Sequence, residues 1–155
     1  MTEVRWLDER EQRAWRSLVA MQEGLTEFID RQLRHRCGLS NADYQVLAHL
    51  SEAAGPLRPY ELGRLLRWEK SRLSQHLTRM EKRHLVRRES CAADQRGSVI
   101  ALTAEGRKLI EAAAPRHVAD IREVVIDPLT PDELEALTAI SAKVRERLAA
   151  QDRRG

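Results

Sequence analysis

The residues best suited to chemistry lie between positions 69 and 103. At 100° per residue, Leu66, Leu73, Leu77 and Met80 gather on one side of a helix, which marks that side as buried. The opposite pole carries Ser71, Gln75, Thr78 and Lys82, flanked by Arg72 and Arg79 on one side and Ser74 on the other. Hydroxyls, a primary amide and guanidiniums are the groups that read base edges and hold phosphates when a helix lies in a duplex groove. A second cluster, Asp94-Gln95-Arg96-Gly97, falls between two short strand-like runs. There a carboxylate two residues from an arginine can hold that long side chain extended, which suits a narrow minor groove. Either cluster alone would also fit a solvated surface or an exposed ion pair worth about 0–1 kcal/mol. Their value depends on the elements around them.

Those elements are legible from caps and periodicity. Asp8 with Glu11 starts a first helix that runs to about Arg36, before Gly38, with apolar residues recurring from Trp15 to Leu33. Ser40 with Asp43 starts a second, carrying Tyr44, Leu47 and Leu50 inward and ending at Gly55-Pro56. Pro59 opens a short third helix to Leu66. Only a tight turn separates it from the polar-faced helix, which starts near Glu69. Helix, tight turn and helix form the supersecondary unit that enters DNA grooves. Strands follow over 85–90 and 98–102, and Thr103 caps a fifth helix running toward Ile126. Pro115 inside that helix predicts a kink or a break. Thr130-Pro131-Asp132-Glu133 starts a sixth helix striped with Leu134, Leu137, Ile140, Val144 and Leu148. Stripes on long terminal helices must be buried, either within the same subunit or against a second copy of the chain.

Composition narrows the class. Charged residues at 33% and aromatics at only 4% favour a mainly helical α+β fold over a sheet protein. Between Arg58 and Lys108 there are 13 Lys/Arg against six Asp/Glu, so a net of +7 is concentrated in the middle of a chain whose total is +3. A basic centre between mildly acidic ends implies a polyanion-binding module within a self-associating frame. No apolar run approaches the ~20 residues of a membrane span, and the first ten residues lack the apolar core of a signal peptide. Cys37 and Cys91 do not form a disulfide framework. The expectation is a cytoplasmic protein.

The run from Glu61-Leu62 through Thr103-Ala104-Glu105-Gly106-Arg107 resembles the winged helix-turn-helix of the MarR family of bacterial transcriptional regulators. Asp94-Gln95-Arg96-Gly97 followed by Val99-Ile100-Ala101-Leu102-Thr103 is similar to that family's wing signature, and Arg79 to Val86 resembles its recognition-helix exit. The resemblance covers nearly the whole chain. It implies six helices with a two-stranded β-wing. Residues 40–108 would be the DNA-binding lobe, and 1–36 with 109–150 a helical dimerisation lobe. It implies a homodimer on a pseudo-palindromic operator in double-stranded DNA, usually a repressor relieved by a small molecule or an oxidant. The family's contacting positions fall on Ser71, Arg72, Ser74, Gln75, Thr78 and Arg79, and its wing arginine on Arg96, supported by Asp94. His84 departs from the family's usual Gly, which puts a non-glycine residue in the left-handed region at the helix exit.

For control of binding, the resemblance implies a pocket lined by the end of the first helix, the second and the fifth. Arg34, His35 and Tyr44 are the candidates there for a phenolic or aromatic ligand. Cys37, among Arg34, His35 and Arg36, and Cys91, beside the wing, offer a redox alternative. A nonspecific architectural DNA binder would share the basic centre. No metal, cofactor or catalytic role is expected: the five histidines are scattered, and neither zinc-ligand spacing nor a nucleophile elbow occurs.

Overall fold

The structure is a computed structural model that describes residues 3–90 and 97–153. Among the described residues, the helices are α1 (Glu9–Cys37), α2 (Asn41–Glu52), α3 (Pro59–Leu66), α4 (Lys70–Lys82), α5 (Ala104–Ile121) and α6 (Pro131–Asp152). The strands are β1 (Val86–Ser90) and β2 (Ser98–Leu102). Two compact units emerge, residues 1–117 and 118–155.

Reciprocal capping starts three of the helices. Asp8 accepts from the Glu11 N–H while Glu11 accepts from Asp8, and the Ser40/Asp43 and Thr130/Glu133 pairs repeat the exchange. Gly38, at φ 66°, terminates α1 in the left-handed conformation that glycine adopts without a Cβ penalty. α2 stops at Glu52, slightly earlier than Gly55-Pro56 predicts.

The core of the first unit joins Leu33, Leu39, Val46, Leu47 and Leu50 to Leu62, Leu66, Leu73, Leu77 and Met80, with Ile100 and Ile110 closing it. Leu66 belongs to α3 rather than to the face of α4, because the chain turns at Arg67 (φ 56°) before α4 begins. β1 and β2 pair antiparallel from Val86↔Leu102 to Ser90↔Ser98. Leu57, in the connection before α3, exchanges two backbone hydrogen bonds with Ile100 (3.0 and 2.7 Å), an isolated antiparallel bridge that ties the hairpin to the helix-turn-helix.

Where the chain leaves α4, His84 has φ 58°, the left-handed conformation expected there. Thr103 Oγ1 donates to the His84 carbonyl (2.5 Å) and accepts from the Gly106 N–H (2.9 Å), joining the helix exit to the start of α5. Gly106 fits against this corner because it has no side chain: a Cβ would stand 2.0 Å from the Leu85 carbonyl oxygen.

α5 runs unbroken through Pro115, so the predicted break does not occur there. A helix tolerates an internal proline where the freed carbonyl is accommodated by a slight bend. The departure from α geometry comes later, in a π-helical segment, Arg122–Ile126, closed by Asp127 N–H to the Arg122 carbonyl at 2.8 Å. Within the described residues no helix is long and apolar enough to cross a membrane.

Candidate nucleic-acid interface

α4 presents the predicted polar face. Leu73, Leu77 and Met80 are buried, and Ser71, Arg72, Ser74, Gln75, Thr78 and Arg79 are all exposed. The cause is local: apolar residues three and four apart form one stripe, and its burial leaves the other side to solvent. Asp94, Arg96 and Cys91 lie outside the described residues.

Several of these side chains are already oriented by the protein. The Arg72 guanidinium lies 4.2 Å from the centroid of Trp68, a cation–π contact that restrains it beside the start of α4. The Thr78 hydroxyl donates to the Ser74 carbonyl (2.9 Å), which spends its proton within the helix and leaves its oxygen as an acceptor. Arg88 reaches back from β1 to within 3.4 Å of both the Ser74 carbonyl and Thr78 Oγ1, and 3.5 Å from Glu81. This arginine was not predictable from spacing on α4, because strand pairing brings it there. A cleft of about 860 Å³ opens beside α4, lined among others by Arg58, Tyr60, Arg64, Trp68, Lys70 and Arg88. Its cationic wall extends the basic surface beyond the helix.

Behind the polar face lies a buried charged cluster that reading the helix by period alone misses. Asp43 on α2 is 4% exposed and His76 on α4 is 9% exposed. His76 Nε2 stands 2.9 Å from Asp43 Oδ1, off the line of an ideal hydrogen bond, and Arg83 donates to Asp43 Oδ2 at 2.8 Å. Burial alone would push the Asp43 carboxyl up. The contacts from His76 and Arg83, with the Ser40 backbone N–H, outweigh burial and hold it well below the usual carboxylate range. On the other side of the imidazole, Arg79 Nη2 lies 3.3 Å from Nδ1. Trp68 meets the same ring edge-on at 5.3 Å.

The candidate effector residues occupy different settings. Arg34 is exposed and pairs with Asp30 at 2.6 Å. The Asn41 N–H, then Arg34, hold the Asp30 carboxyl below its ordinary range. His35 is exposed, and Tyr44 is half-buried with its ring 4.3 Å from that of His117. Burial first, then Glu52 and Cys37, push the Tyr44 phenol up. Cys37 is half-buried and packs against the core.

Residues 38–97 match the family model described as the MarR family. The fold is similar to the crystal structure of AbsC, a MarR family transcriptional regulator from Streptomyces coelicolor. The TM-score is 0.90 and the identity 38%, over 95% of this chain and 99% of that one. It is equally similar to Sco3205, a MarR family regulator from the same organism solved in complex with DNA: TM-score 0.90, 38% identity, 96% of this chain and 93% of that one. HosA, a transcriptional regulator from Escherichia coli O157:H7, is 41% identical over 76 residues; the match takes in 48% of this chain and 55% of that relative's length. Winged helix, polar-faced α4 and 38% identity along the whole of AbsC converge on one assignment: this chain belongs to the MarR family of transcriptional regulators.

Proposed function

We propose that this protein binds a pseudo-palindromic site in double-stranded DNA as a homodimer and represses transcription from it in the cytoplasm. α4 of each copy lies in the major groove and Arg96, steadied by Asp94, enters the adjacent minor groove. The observation that carries the reading is the exposed face of α4, where Ser71, Arg72, Ser74, Gln75, Thr78 and Arg79 stand opposite a buried apolar stripe, beside a cationic cleft. Residues 40–108 form the DNA-binding lobe in this reading, and 1–36 with 109–150 the dimerisation lobe. The DNA complex of Sco3205, at 38% identity, supports it.

What a single chain leaves exposed supports the dimer in this reading. Trp15, Leu18 and Met21 on α1 and Ile140, Val144 and Leu148 on α6 are large apolar side chains in water, several of them more than half exposed. Apolar stripes of that kind mark protein–protein contacts. Release of DNA is assigned to a small phenolic or aromatic ligand meeting Arg34, His35 and Tyr44. The half-buried Tyr44 ring against His117 is the feature that favours an aromatic guest.

Selection from random duplexes at fixed salt tests the reading. A preferred two-fold-related motif is expected, with Gln75→Ala or Arg72→Ala relaxing the preference at single positions by about 1–3 kcal/mol each. Arg96→Ala should weaken binding at least about tenfold without dissociating the dimer. Recovery of no motif would leave a nonspecific DNA binder.

A further inference from the structure

We infer that His76 is a positioning residue for Arg79, and that the sequence preference of α4 therefore depends on the protonation of this buried ring. The inference rests on the DNA-binding reading above and adds a residue that does not face the groove.

The geometry admits one neutral arrangement. A carboxylate only accepts hydrogen bonds and a guanidinium only donates them. With Asp43 Oδ1 2.9 Å from Nε2 and Arg79 Nη2 3.3 Å from Nδ1, the proton sits on Nε2 and the Nδ1 lone pair faces the guanidinium. The ring is thus a connector, anchored in the protein by Asp43 and offering an acceptor to an exposed arginine. That acceptor engages one guanidinium nitrogen and leaves the remaining donors for a base edge or phosphate. A long side chain held this way loses less freedom when it docks.

A second proton lands on Nδ1. Donor then faces donor and cation faces cation, so Arg79 is expelled, while the contact with Asp43 becomes a charge pair and keeps the ring in place. The other charged groups around the ring do not cancel this: Arg83 is engaged by Asp43, and Arg72 is stacked on the uncharged Trp68 ring. Acidification therefore loosens the base-reading arginine without removing positive charge from the interface. Attraction to phosphates, which does not depend on sequence, persists. What falls is discrimination.

The experiment measures affinity for the selected duplex and for a scrambled duplex of the same length, at constant salt, from about pH 8 to about pH 5.5. For the wild type, the ratio of the two affinities should drop at least about threefold on acidification, within the range one base contact controls. Arg79→Ala should give a low ratio that no longer changes with pH. His76→Gln, which keeps a donor toward Asp43 but cannot take up a second proton, should give a ratio that does not change with pH. Nitrogen chemical shifts of the His76 ring should report the Nε2–H tautomer at pH 8, a readout that stands even where His76→Gln fails to fold. A wild-type ratio constant across this range, a pH dependence that survives in Arg79→Ala, or an Nδ1–H tautomer each overturns the inference while leaving the DNA reading intact. No sequence preference at any pH overturns both.

Discussion

Arg83 and Asp43 are joined at 2.8 Å, and through this pair the exit of α4 is fastened to the first turn of α2. Arg83 also donates to the Gly38 carbonyl at 3.0 Å, so one guanidinium spans the α1–α2 corner. Asp43 itself completes the Ser40 capping box. A single buried carboxylate thus completes the start of α2 and holds both His76 of α4 and Arg83 at its exit.

Replacing that carboxylate should be costly. Asp43→Asn is expected to lower stability by about 1–3 kcal/mol in urea unfolding at neutral pH, because Arg83 and His76 lose their charged acceptor in a buried site. The folded carboxyl titrates below its unfolded value of about 3.9, so its contribution is complete above that value and disappears as pH falls through the folded one. Wild-type stability should therefore decline below about pH 4, and less steeply in Asp43→Asn. Equal slopes for the two proteins would remove Asp43 from the account of acid sensitivity.

Gly106→Ala tests the corner under the hairpin. Its Cβ would meet the Leu85 carbonyl at 2.0 Å, and the obstacle is backbone rather than a movable side-chain tip. A loss of at least about 2 kcal/mol is expected, read as a lowered melting temperature. Gly24→Ala, where a Cβ meets nothing within 4 Å, is the matched control and should stabilise α1 slightly. Indistinguishable melting of the two variants would mean that α5 can shift away from Leu85.

The exposed stripe on α6 makes a prediction about assembly. Ile140 is 61% and Val144 47% exposed in one chain. Sedimentation should show a dimer at micromolar concentration for the wild type. The Ile140→Glu/Val144→Glu double variant should sediment as a monomer and retain its helical circular dichroism. A monomeric wild type would refute the dimer.

Much of this architecture is written locally. The starts of α1, α2 and α6 follow from capping boxes that span three residues, and α3 begins at Pro59 as its fixed φ dictates. The inward stripe of α4 also needs nothing beyond helical spacing. Pro115 shows where such rules stop: the residue sequence predicts an interruption, yet α5 continues and the irregular π segment forms at Arg122–Ile126.

The sequence by itself determined where helices and strands begin, which side of α4 is free, and the family to which the chain belongs. These are consequences of interactions between residues three or four apart, or two apart in a strand, and of a family pattern in the residue string. Only the tertiary structure decided that Leu57 bridges to Ile100, that Arg88 returns to Ser74 and Thr78, and that Asp43 meets His76 and Arg83. The physical reason is that a buried polar group is stable only beside its partners. When those partners come from another helix, their identity is set by how distant segments pack, which no local period encodes.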